Sequence, residues 1–106
     1  MLKWKRVSVT AVDGFEQIET ILAGMSGKGR KIMFVFEGDR TASTFLRLYR
    51  DSEQIVDIEC DLLTAQAPML PVDLPLAEGQ ICKVGFYNTS GGDLTRSISI
   101  GYEETG

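Results

Sequence analysis

Three consecutive stretches decide the fold class: Gln80-Ile81-Cys82-Lys83-Val84-Gly85-Phe86-Tyr87, then Asn88-Thr89-Ser90-Gly91-Gly92-Asp93, then Leu94 through Tyr102. The first and third alternate apolar residues with others, and the second breaks the alternation with turn formers. That is a strand, a turn and a strand, the pattern of antiparallel β structure with one buried face.

Working outward, the same period recurs. Val7, Val9 and Ala11 share one face of a strand over Trp4–Val12, with Arg6, Ser8 and Thr10 on the other, and Asp13-Gly14 marks a turn. Phe15–Met25 reads two ways. Phe15, Ile18, Ile21, Leu22 and Met25 sit at helical spacing, with Asp13 and Glu16 placed as a capping box. The segment also reads as a strand, which its β surroundings favour. After the loop Ser26–Gly29, Arg30–Glu37 holds an unbroken apolar run, Ile32 to Phe36, expected of a strand covered on both faces.

Phe45–Arg50 and Gln54–Leu62 form a hairpin. Keeping Leu46 and Leu48 on the same side as Val56, Ile58 and Cys60 fixes the parity of the register. A loop Asp51-Ser52-Glu53 meets it, setting Arg50 opposite Gln54, Leu48 opposite Val56, and Arg47 opposite Asp57 as an exposed ion pair worth at most ~1 kcal/mol. Pro68, Pro71 and Pro75 confine Ala65–Leu76 to a loop and a short edge strand at Met69–Asp73. The tail Glu103–Gly106 is expected to fray. About eight short strands with this spacing predict a single all-β domain over 1–106, an antiparallel β-sandwich of jelly-roll or related Greek-key type.

Composition bounds the function. The 106 residues carry a net charge of −4 and no histidine. An acidic chain lacks the basic field of a nucleic-acid binder. Its basic groups Lys3, Lys5, Arg6, Lys28, Arg30 and Lys31 read as solvated strand ends and loops. Met1–Arg6 is positive but precedes no apolar run, and no stretch nears the ~20 apolar residues of a membrane span. The expectation is synthesis in the cytoplasm without a signal peptide, and no membrane partner. Cys60 and Cys82 fall on apolar-facing positions and read as free core thiols, although a disulfide would also fit facing strands.

Without histidine a Ser-His-Asp set is excluded and a zinc site is disfavoured. Gly24-Met25-Ser26-Gly27-Lys28-Gly29 lacks the serine or threonine that follows a phosphate-loop lysine, and a strand follows it. Asp57, Glu59 and Asp61 line one strand face, where they read as solvated carboxylates rather than calcium ligands, since alternate residues stand ~6.5–7 Å apart. Asn88-Thr89-Ser90 reads as turn chemistry. No catalytic, metal or cofactor residue is assigned.

The aromatic residues carry the functional expectation. Phe34, Phe36 and Phe86 read as core. Trp4, Met33, Val35, Phe45, Tyr49 and Tyr87 read as an outward set and a candidate interface, because exposed apolar patches mark contact surfaces.

Pro75-Leu76-Ala77-Glu78-Gly79-Gln80, Lys83 to Gly91 and Ser97 to Glu104 resemble the closing strands of small viral jelly-roll proteins of the phage decoration and minor capsid type. Leu46 to Asp51 with Gln54 to Asp57 is similar to their central hairpin. The resemblance implies a non-enzymatic structural subunit on a virion. It would be a homo-oligomer, a trimer by preference, with a major capsid or other particle protein as a further partner. The alternative is a carbohydrate- or receptor-binding module using Trp4, Tyr49 or Tyr87 as its shelf.

Overall fold

The computed structural model describes residues 2–24, 26–27, 29–37, 44–59 and 69–105. They form eight strands: β1 (Leu2–Ala11), β2 (Glu16–Leu22), β3 (Gly29–Glu37), β4 (Thr44–Arg50), β5 (Glu53–Glu59), β6 (Met69–Leu76), β7 (Cys82–Asn88) and β8 (Leu94–Thr105). All pair antiparallel, first with eighth, second with seventh, third with sixth and fourth with fifth. The chain is thus a long ribbon doubled on itself. Pairing of β3 with β8 and of β4 with β7 rolls that ribbon into two sheets, β1-β8-β3-β6 and β2-β7-β4-β5. This is the strand order of an eight-stranded jelly roll, and the all-β sandwich expected from the alternation is what forms.

The core lies between the sheets. Val9, Ala11, Ile32, Val35, Leu74, Leu76, Ile98 and Ile100 enter from the first sheet, and Ile21, Leu22, Leu46, Leu48, Val56, Cys82, Val84 and Phe86 from the second. Each large aliphatic or aromatic side chain so buried contributes about 1.5–3 kcal/mol.

Two of three register shifts change which residues these are. In β2 the shift between Thr20 and Leu22 lets Ile21 and Leu22 both face inward, so the ambiguous segment is strand and not helix. In β3 the shift between Ile32 and Phe34 makes Met33 the extra residue opposite β8. The phase of the strand flips there. Val35, expected outward, is fully buried, and Phe34 and Phe36, expected in the core, turn to the outer face.

In the β4–β5 hairpin Leu48 opposes Val56 and Arg47 opposes Asp57 as expected, but Arg50 opposes Glu53 rather than Gln54. The loop is two residues, Asp51-Ser52, with Asp51 in the left-handed region at φ 53°. A bulge at Ile55 absorbs the one-residue difference and preserves the inward parity.

Other boundaries differ too. β1 starts at Leu2 and stops before Val12. β6 runs through Leu76 as an edge strand that tolerates Pro71 and Pro75. Glu103 and Glu104 do not fray, because β8 continues between β1 and β3. Arg30, expected solvated, is 3% exposed and donates from Nη2 to the Gln80 carbonyl at 3.0 Å. Cys60, Asp61, Met25, Lys28 and Pro68 lie outside the described residues.

Gly85 shows how closely the second sheet is built: a Cβ there would land on the Gln17 backbone carbonyl of β2. Gly85→Ala should therefore cost about 2 kcal/mol or more in urea unfolding, in the range of overpacking; a neutral result would mean that β2 does not approach β7 this way. Burial pushes the Cys82 thiol up from 9.0 to about 12, with the Arg30 charge pulling the other way. The folded state thus favours the protonated thiol, and the stability this brings is full below pH 9 and is lost as pH rises toward 12. In a Cys60→Ser variant, unfolding free energy should fall by about 1.4 kcal/mol per pH unit in that window. Native Cys82 should resist a thiol reagent at pH 8 and react only after unfolding.

Candidate functional site

The two outer faces have different chemistry. On the first sheet the outward residues run across three strands: Trp4 of β1 and Phe34 of β3 both oppose Gly101 of β8. With no side chain at Gly101, the Trp4 ring lies flat across it, 3.0 Å from where a Cβ would stand. The Trp4 ring stacks on Phe34 at 6.1 Å and 12°, and meets Phe36 edge-on at 6.2 Å and 72°. Such arrangements suit the ring quadrupoles and add about 0.5–1.5 kcal/mol per pair beyond area burial. Trp4 still leaves 51% of its surface in water.

Beside it lies a shallow cavity of about 360 Å³ lined by Trp4, Lys5, Arg6, Phe36 and Ser99. Arg6 and Ser99 are cross-strand partners on the same face as Trp4. Lys5 and Arg6 are exposed and have no ion pair among the described residues. Lys3, by contrast, pairs with Glu104 at 3.1 Å and Lys31 with Asp73 at 2.9 Å. The hydrogen bond and charge of Asp73 raise the Lys31 pKa.

On the second sheet Arg47 organises the outer face. Its Nη1 donates to Glu16 at 2.6 Å, its Nε to Asp57 at 3.2 Å, and its guanidinium lies 5.0 Å from the Tyr87 ring centre. Partial burial opposes the Arg47 charge, but the hydrogen bonds to Glu16 and Asp57 outweigh it and raise its pKa. Tyr49 donates its hydroxyl to the same Glu16 carboxylate at 2.8 Å. Burial, then that bond, pushes the phenol up. Phe45 packs on Tyr87 at 6.3 Å. The Arg47–Asp57 pair is thus part of a partly buried network across β2, β4, β5 and β7 rather than an isolated surface pair.

A third exposed apolar point sits at one end of the sandwich, where Val12 is 53% and Phe15 65% exposed. Their turn is rigidly held. Gly14 N–H donates to the Asn88 carbonyl at 2.7 Å, Asn88 N–H donates to the Phe15 carbonyl at 3.0 Å, and Gly91 N–H donates to Asp13 Oδ1 at 2.9 Å. The buried Asn88 side chain donates to the Ala11 and Gly92 carbonyls and accepts from Ser90 N–H, so the turn chemistry expected of this triplet is present and spans two loops.

Of the outward set expected from sequence, Trp4 alone presents a half-free ring. Phe45, Tyr49 and Tyr87 share the outer face of the second sheet and engage one another or Arg47. Met33 sits half-buried at the bulge, and Val35 is core. Alternation missed Phe34 and Phe36, whose outward phase depends on that bulge; Phe15, Val12 and Ile55 were not singled out as exposed. Asp57 is spent on Arg47, and Asp61 lies outside the described residues, among which no group of three or more potential metal ligands converges.

No family model matches the chain, and no curated protein does. Among solved structures it is similar to the nucleoplasmin-like N-terminal domain of Drosophila FKBP39, at a TM-score of 0.48 and 14% identity over 96% of this chain and 88% of that one.

If Arg47 is the hub, its loss strands Glu16 and uncovers Tyr87, whereas loss of Asp57 removes one partly exposed bond. Arg47→Ala should cost about 2 kcal/mol and Asp57→Asn less than about 1 kcal/mol in urea titrations. Equal costs would place the weight elsewhere.

Proposed function

We propose that this chain is a non-enzymatic structural subunit that works by assembling with copies of itself. The observation that carries the reading is the outward aromatic cluster: Trp4, Phe34 and Phe36 sit on the solvent side of a sheet whose inner side already supplies a core. A sandwich needs no aromatic residues on its outer face for folding. Stacking them there leaves a flat apolar surface whose desolvation by a neighbour is favourable, at roughly 25 cal/mol per Å² of apolar area. Arg6, Lys5 and Ser99 around the cavity supply charge and a hydroxyl, a polar rim of the kind interfaces carry.

A role on a virion or similar particle rests on the resemblance of the closing strands and central hairpin to phage decoration and minor capsid proteins. A closed ring such as a trimer is the economical form. The carbohydrate-module alternative draws less support: the Tyr49 hydroxyl is committed to Glu16, and the Tyr87 ring lies under Arg47.

Size-exclusion chromatography with light scattering tests the reading. The expected result is a discrete multimer of the 11.7 kDa chain, converted to the protomer by Trp4→Ala. A wild-type protomer at high concentration would overturn it.

A further inference from the structure

The basic rim of the Trp4 cavity has a counterpart on the same molecule. β1 carries Lys3, Lys5 and Arg6 and no acid, a charge of +3. The β4–β5 hairpin, residues 44–59, carries Asp51, Glu53, Asp57 and Glu59 against Arg47 and Arg50, four carboxylates to two cations, a charge of −2. β1 is the outer strand of one sheet and β5 the outer strand of the other, and β1 packs over β2, at the opposite end of that other sheet from β5.

Both edges also have an apolar centre. On β1 it is Trp4. On β5 it is Ile55, the bulged residue, 37% exposed between Glu53 and Asp57. Each of those carboxylates engages its own arginine through one oxygen, Glu53 with Arg50 at 2.7 Å and Asp57 with Arg47 at 3.2 Å, and each stays well exposed at 61% and 41%. A bulge commonly re-aims a side chain at a sheet edge, and here it aims an aliphatic knob outward between acids.

We infer that the partner of the Trp4 cavity is the β5 edge of a second copy: Ile55 seats against Trp4 and Phe36, Asp57 faces Arg6 on the outer side of the joined edges, and Glu53 faces Lys5 on their other side. This rests on the self-assembly reading and adds its geometry. The contact joins two different patches, so it is head-to-tail, and each bound copy leaves one basic and one acidic edge free. Such a contact propagates until it closes into a ring. The alternative, β1 against β1, would oppose Lys5 and Arg6 of one copy with the same two cations of the other.

Complementation of two surface variants decides it. Lys5→Glu with Arg6→Glu spoils the basic edge and leaves the acidic one intact; Glu53→Lys with Ile55→Lys does the reverse. Circular dichroism checks that both fold. Alone, each should assemble about a hundredfold more weakly than wild type, since like charges then face each other. An equal mixture should recover at least a heterodimer by light scattering, through the two untouched edges.

If only the β1 variant fails, or the mixture stays dissociated, the head-to-tail contact is wrong while self-assembly stands. A wild-type protomer would remove both. Wild-type assembly alone gives a second readout: it should loosen as salt rises from about 0.05 to 1 M, where the screening length drops to about 3 Å, and indifference to salt would overturn the charge pairing.

Discussion

Ile32 and Val35 both point into the core although they stand three positions apart, an odd spacing that a regular strand cannot accommodate. Side chains alternate with a period of two, so inward residues must be an even number apart unless the strand is bulged. The extra residue at Met33 resolves the conflict, and the outer surface of the first sheet follows from it. With the phase flipped, Ile32 faces Tyr102 and Val35 faces Ile100 on the inside, while Phe34 meets Gly101 on the outside. Gly101 then makes room for Trp4 to lie across β8 and reach Phe34. Bulge, glycine and tryptophan form one device, which moves aromatic area from the core to the surface without opening a gap between the sheets.

The second sheet treats its outward aromatics differently. Tyr49 and Tyr87 are drawn into the network that Arg47 holds together, and Phe45 packs on Tyr87. Polar groups there satisfy one another and hold the aromatic rings. Among the described residues the first sheet has the Lys31–Asp73 and Lys3–Glu104 pairs, with serines and threonines around its aromatics. Of the two faces, the one with unspent aromatic area is the one suited to a neighbour.

Much of the fold was legible in the sequence because alternation carries it. The closing strands β7 and β8, the β4–β5 hairpin and the inward parity of Leu48 and Val56 follow from which residues can share a buried face. Single-residue bulges at Ile21, Met33 and Ile55 were not legible. Each changes phase without changing composition; those at Ile21 and Met33 arise in pairing to strands distant in sequence, and the one at Ile55 in the hairpin itself. The unbroken run Ile32–Phe36 hides its bulge completely, since every residue in it would suit either face. Arg30 was misplaced for a related reason: nothing local shows that β7 and its leading turn will cover it and offer the Gln80 carbonyl. The Trp4 surface was visible as an exposed tryptophan, but its companions Phe34 and Phe36 were assigned to the wrong side.

Assembly through this surface turns on whether the Trp4 ring is shielded by another copy. Trp4 is the sole tryptophan, so its emission reports that surface alone. The decisive measurement is iodide quenching of tryptophan fluorescence across a dilution series of the wild-type chain. The account predicts weak quenching and blue-shifted emission at high concentration, passing to strong quenching and a red shift as the copies separate. Equal quenching at every concentration, with an unchanged emission maximum, would contradict it.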